Sequence, residues 1–169
     1  MAQATSVPAS ALYDAILAAG VTDVVAVPDT HQRSLIDLLL ASDAVRFVQC
    51  TTEDEAMAVA CGLIVGGRRP MLQIQHAGLY ACVNNLRGVG IDGELPLVLL
   101  VGLLGRDPSR APRETFDSMV RLAEPLLDAL EVPHFLIDGP DDVHSFGEAV
   151  RLAEERERPV AVLVGMQTV

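Results

Sequence analysis

The residues with the clearest chemical potential open the stretch TTEDEAMAVACG, residues 51–62. Glu53, Asp54 and Glu55 stand side by side where an apolar helical run begins. Carboxylates in a first helical turn interact favourably with the positive end of the helix dipole, by about 0.3–1 kcal/mol each. Thr51 or Thr52 can act as the N-cap. Capping accounts for acids at this place, but it does not account for the helix behind them. AMAVACG is built of small residues, so another surface can approach its backbone closely, whereas a solvent-facing helix would carry more charge. One carboxylate is therefore open to a second task.

Other reactive side chains gather at the ends of apolar runs. PDTHQ (28–32) brings Thr30 and His31, QHAGL (75–79) brings Gln75 and His76, and GLLGRD (102–107) brings Arg106. An unperturbed imidazole titrates near pH ~6.5, which makes His76 a candidate for proton transfer. His31 also reads as an exposed turn histidine. Arg106, Arg110 and Arg113 could hold an anion, or simply belong to a solvated connection. Arg68 and Arg69, in the GGRRP turn at the opposite strand end, read as structural, and His134 and His144 as surface or packing residues.

The runs that must position these groups alternate in type. Short β-branched or continuous apolar segments suited to buried strands cover 21–28, 45–50, 71–75, 95–103, 134–138 and 159–165. Helical periodicity covers 7–20, 34–42, 53–66, 79–91, 115–130 and 142–156, the last with Asp141 as its expected cap. A polar loop spans 105–114. This alternation predicts an α/β fold, a three-layer αβα domain around a mainly parallel six-stranded sheet. In such folds ligands bind beyond the carboxyl ends of the strands, where the polar segments above fall.

Composition narrows the possible partners. The 169 residues suit a single domain, residues 1–169, and half of them are hydrophobic. The net charge is −11 and all 12 cations are arginine. That argues against nucleic acid and an anionic membrane as partners, and lysine chemistry is excluded. Cys50, Cys61 and Cys82 are widely spaced in apolar stretches, so they read as free thiols of a reducing cytoplasm and not as a metal site. The first ten residues lack a signal-peptide pattern, and LPLVLLVGLLG is too short to span a bilayer. A mean hydropathy of +0.35 is high for a small monomer and points to surfaces covered by other chains.

Read in order, several segments resemble the pyrimidine-binding (PYR) domain of thiamine diphosphate-dependent 2-oxo acid decarboxylases. Glu53 is followed by Ala56, Ala60 and Gly62, similar to the family helix that opens on Glu and runs through Ala-rich turns to a Gly. GGRRP (66–70) looks like the family's GG(K/R)xP turn, and VPDT (27–30) like its VPG(S/D) or VPD(S/T) loop. QIQHAGLYACVNNLRG (73–88) resembles xxQNSGLGNxxNxL, and LPLVLLVGLLG (95–105) resembles xPLLLLxSxRG. The likeness runs from about residue 8 to 165. It is nearest to the α subunit of sulfopyruvate decarboxylase and the N-terminal domain of phosphonopyruvate decarboxylase.

The resemblance implies a set of roles. Glu53 would hydrogen-bond N1′ of the cofactor's aminopyrimidine and so promote loss of the C2 proton, a task that needs a fixed, desolvated carboxyl. Pro28 and Gln75 would line the cofactor. Thr30, His31, Gln75, His76 and Asn84 would face the substrate, with His76 catalytic; it departs from the family's Asn. Thr30 could equally be a helix N-cap, and Asn84 a cap or a solvated residue. The cofactor's diphosphate and Mg²⁺ need a diphosphate-binding (PP) domain, marked by GDG and a later NN. GIDGELP (90–96) lacks the later Asn pair and reads as a turn, so no metal site is expected in this chain. The implied enzyme is split: this chain is the PYR subunit of a cytoplasmic hetero-oligomer, with a GDG…NN partner subunit and self-association. It would act on a small anionic 2-oxo acid such as sulfopyruvate or phosphonopyruvate. A carbon–carbon ligase using the same cofactor is a further possibility. A non-catalytic PYR-like or flavodoxin-like binding module is the alternative, and the surroundings of Glu53 discriminate between them.

Overall fold

The computed structural model describes residues 6–169. Six strands form one sheet: β1 Asp23–Ala26, β2 Arg46–Gln49, β3 Pro70–Gln75, β4 Val98–Gly102, β5 His134–Ile137 and β6 Val160–Val164. Their order is β2-β1-β3-β4-β6-β5, and every pairing is parallel. The expected α/β class and three-layer architecture are present.

Side chains alternate across the sheet with a period of two, and helices cover both faces. Val24, Met71, Leu100 and Val162 point into one core, closed by α1 (Ala9–Ala18), α2 (Arg33–Leu40) and α8 (Ser145–Arg156). Val25, Leu72, Leu99 and Leu163 point into the other. That second core is closed by α3 (Glu53–Val65), α4 (His76–Ala81), α6 (Ser118–Arg121) and α7 (Ala123–Ala129), while the short α5 (Val83–Asn85) buries none of its residues. Because both faces are covered, β4 and β6 are apolar at every position, as parallel strands require.

Several expected boundaries shift for local reasons. The helix expected over 115–130 is two pieces broken at Leu122. Pro125 lies one turn beyond; it has no N–H to give to Arg121 and its ring crowds that carbonyl. The helical segment expected from 79 starts at His76, directly off β3, and ends in a π-turn segment over Leu86–Ile91 that includes Gly90. Asp141 does not cap α8. Pro140–Asp142 form a 3₁₀ turn, and it is the Asp142 carboxylate that accepts from the Asp138 and Gly139 N–H groups, at 3.0 and 3.1 Å.

The amino ends of the strands are held by charge. Buried Asp23 accepts from Arg46 Nε at 2.6 Å, Arg68 Nε at 2.8 Å and Thr22 Oγ1 at 2.7 Å, and Arg69 pairs with Glu154. Arg68 and Arg69 are thus structural, as expected. A groove of about 600 Å³ between α1 and α8 lies at this edge, far from the candidate site, and is lined in part by the paired Arg69 and Glu154.

Candidate active site

The strand order reverses between β1 and β3, and a doubly wound sheet opens a crevice at the carboxyl ends of the strands at such a point. The segments leaving β1 and β3 meet there through one hydrogen bond. Gln75 Nε2 donates to Asp29 Oδ1 at 2.7 Å. Asp29, with extended backbone, also caps a 3₁₀ turn over Thr30–Gln32 by accepting from the His31 N–H at 2.9 Å. A third donor, Gln32 Nε2, lies at 3.4 Å from Oδ2 and binds the Ile74 carbonyl at 3.0 Å. Gln73 Nε2 reaches Gln32 Oε1 at 3.5 Å, so a buried amide chain runs beneath the crevice.

His31 departs from the exposed turn residue expected of it: only 6% of it is accessible. The Asp29 cap turns it inward, where Nε2 lies 3.0 Å from the Val164 carbonyl. A carbonyl only accepts, so Nε2 carries the proton. Burial lowers its pKa, against the opposing pull of the Asp29 carboxylate and the backbone carbonyl. His76 is also buried, with Nε2 2.8 Å from the Leu104 carbonyl. The same logic puts its proton on Nε2 and leaves Nδ1 as a buried nitrogen without a protein partner.

The three carboxylates at the start of α3 have separate surroundings. Thr52 is the N-cap, accepting from the Glu55 N–H at 3.4 Å. Glu55 Oε2 accepts from the N–H and hydroxyl of Thr51, both at 2.9 Å, and these bonds hold its carboxyl below the usual range. Asp54 offers its carbonyl to Asn85 Nδ2 at 3.0 Å, tying α3 to α5. Glu53 is different. Its half-buried side chain lies across Gly78 in α4, where a Cβ would come within 2.6 Å of Oε1 and of Cδ. The helix behind it buries Ala56, Met57, Ala60 and Cys61 and leaves Ala58 and Gly62 exposed.

Glu53, Gln75, His76, His31 and the Pro28–Thr30 segment therefore all lie at the carboxyl edge. Pro28 and Thr30 are exposed and, with Asp29, Arg33 and Ile36, line a shallow cavity of about 170 Å³. Asn84 is not drawn into this group; it is exposed and accepts from Arg87 at 3.3 Å. The arginines of the polar loop are engaged elsewhere. Arg113 pairs with Glu124 and Asp128 at 2.6 and 2.7 Å, and Arg110 with Asp107 at 3.5 Å. Arg106 is not solvated, as the loop reading would have it. Its side chain is 4% exposed and pairs with Asp138 at 2.8 Å. Burial raises the Cys61 thiol to about 11 and the Cys82 thiol to about 12, so neither is a nucleophile near neutral pH. The sequence reading missed Asp29 and Gly78. The signal for the first was Gln73 and Gln75, two polar residues at period two on one face of an apolar central strand.

The chemistry of this set fits one half of a cofactor site. It offers a carboxylate in a glycine cradle, an unpartnered buried imidazole nitrogen and a polar amide. Among the described residues no cluster of three or more His, Cys, Asp or Glu could hold a metal ion, and no helix is long and apolar enough to cross a membrane.

The chain is 26% identical over 155 residues to sulfopyruvate decarboxylase subunit alpha of Methanococcus maripaludis, covering 91% of this chain and 92% of that one. It is 31% identical over 147 residues to phosphonopyruvate decarboxylase of Streptomyces viridochromogenes, covering 86% of this chain but 37% of that protein. Among solved structures, benzoylformate decarboxylase from Polynucleobacter necessarius superposes with a TM-score of 0.77 at 18% identity, over 97% of this chain and 31% of that one. That likeness establishes the fold. Residues 8–130 match the family described as thiamine pyrophosphate enzyme, N-terminal TPP binding domain. This chain belongs to that family.

Proposed function

We propose that this chain is the PYR subunit of a split thiamine diphosphate-dependent decarboxylase acting on a small anionic 2-oxo acid of the sulfopyruvate or phosphonopyruvate type. The observation that carries the reading is Glu53 laid on Gly78 at the mouth of the crevice. A capping carboxylate needs no glycine cradle on a neighbouring helix, and Thr52 already caps the helix while Glu55 binds back to Thr51.

In this reading Glu53 holds N1′ of the aminopyrimidine, and Pro28 and Gln75 border the cofactor. Bound there, the cofactor would supply a nucleophilic carbon that adds to the keto carbon and an electron sink for the bonding pair left behind as carbon dioxide departs. His76 moves a proton at Nδ1, the nitrogen left free by its bond to Leu104. Thr30 and the buried His31 shape the substrate side. Glu53 is only half-buried in this chain, so the desolvation its role needs comes from a covering subunit. That subunit carries GDG and NN and holds Mg²⁺ and the diphosphate. The phosphonopyruvate and benzoylformate decarboxylases support this, since the chain spans only 37% and 31% of their lengths and each has room for a second half. Self-association of the paired subunits and a cytoplasmic setting belong to the same reading.

The test mixes this chain with a PP-domain subunit, thiamine diphosphate and Mg²⁺, and follows carbon dioxide release from sulfopyruvate, phosphonopyruvate and pyruvate. Activity is expected only in the mixture, and Glu53→Gln should lower kcat by at least about 100-fold. No turnover and no complex between the chains would favour a binding module.

A further inference from the structure

We propose that Asp29 is a positioning residue of this site: its carboxylate fixes the Gln75 amide and the turn carrying Thr30 and His31 in one arrangement. The inference rests on the reading of those residues as the substrate side.

A turn needs only one acceptor for one N–H, and Asn, Ser or Thr supply it as well as Asp. Asp29 does more. It is 6% exposed, and its donors are the His31 N–H, Gln75 Nε2 and Gln32 Nε2. All three are neutral, and among the described residues no arginine pairs with it. A buried carboxyl group met by neutral donors alone is costly unless those bonds are well made. The fold is shaped to make them. Gly102, at the end of neighbouring β4, leaves the space: a Cβ there would come within 3.0 Å of Gln32 Nε2 and 3.1 Å of His31 Cδ2, and closer still to Asp29 Oδ2. Three strands thus converge on one carboxylate.

The consequence falls on Gln75. Donating one N–H to Asp29 sets the plane of its amide, and its remaining N–H and Oε1 have no partner among the described residues. They are presented in a fixed orientation on a half-buried side chain next to His76. Asp29 touches neither reactant in this scheme and acts through Gln75 and the turn.

The experiment has two arms. In the isolated chain, the Gln75 side-chain amide is followed by ¹⁵N NMR. It should be shifted and slow to exchange, and Asp29→Ala, which removes the Oδ1 that accepts from both Gln75 and the His31 N–H, should abolish both. In the mixture with the partner subunit, Asp29→Ala should lower kcat about 10–100-fold, as expected of a misplaced contact. Adding it to Gln75→Met should cost clearly less than the sum of the two single losses. If Asp29→Ala does not fold, Gly102→Ala displaces the carboxylate and replaces it in both arms. An unaltered Gln75 amide, or additive losses in the double variant, would overturn the proposal. An inactive wild-type mixture would instead overturn the decarboxylase reading, and the amide signal would still decide the contact.

Discussion

Glu53 and Gly78 compete for the same volume: the carboxylate of one lies where the side chain of the other would begin. Gly78 is helical and fully buried, and its φ needs no glycine. Only the approach of Glu53 does. Gly78→Ala should therefore push Glu53 aside, and because Glu53 is half-exposed it can swing into solvent without unfolding the chain. We expect thiamine diphosphate affinity and kcat of the mixture each to fall at least about tenfold, a loss of about 1.4 kcal/mol, with the melting temperature nearly unchanged. Isothermal titration and a thermal scan of the same sample decide it. Full activity in Gly78→Ala would show that Glu53 is not held by this contact.

Arg106, its side chain 4% exposed, pairs with Asp138, which is 26% exposed, and also donates to the carbonyls of Asp107 and Arg110. It ties the loop after β4 to the end of β5. Removing Arg106 leaves Asp138 partly hydrated, so the cost lies below the about 3–5 kcal/mol of a fully buried pair. Arg106→Ala should shift the urea midpoint down accordingly, while KM for the 2-oxo acid stays the same in the folded fraction. A large rise in KM at unchanged stability would make Arg106 a substrate ligand.

Most of the architecture was legible because buried parallel strands declare themselves. VLLVG and VAVLV are apolar on both faces, and β-branched runs bounded by turns have few other uses. The start of α3 was legible for the same local reason, since threonine and acids mark a helix mouth. What was not legible depends on contacts between distant residues. His31 looked like a turn histidine because nothing beside it says that Val164, 133 residues away, will supply a carbonyl. Asp29 passed without a role because its partner Gln75 is 46 residues away. Pro125, by contrast, was a local signal for the break at Leu122 and could have been used.

Asp23 gives the fold an acid-sensitive point. Burial alone would raise its pKa, but the hydrogen bonds from Arg68, Thr22 and Arg46 outweigh that and hold it below the usual value. A folded-state pKa below the unfolded one contributes stability that is complete above the unfolded pKa, about 4. It is lost as pH falls through the folded value. The gap in melting temperature between wild type and Asp23→Asn should therefore be constant from about pH 7 to 5 and shrink below about pH 4. A gap that stayed constant to about pH 2 would mean that Asp23 is not the linked group.

Glu157 ends α8 in the left-handed region, with φ 51° and ψ 45°, and its N–H bonds back to the Ala153 carbonyl. An L side chain there is crowded against its own backbone, whereas glycine is not, which is why helices so often place glycine just past their last turn. Glu157 is exposed and appears in none of the ion pairs among the described residues. Glu157→Gly thus gives up little contact and relieves strain, partly offset by the greater freedom of glycine in the unfolded chain. The net change should be a stabilisation of about 0.5–1 kcal/mol, seen as a higher urea midpoint at constant slope. Because Glu157 leads into β6 at the amino end of the strands, and α8 covers the sheet face opposite α3 and α4, activity of the mixture should not change. A lower midpoint would show that the unfolded-chain entropy outweighs the backbone strain.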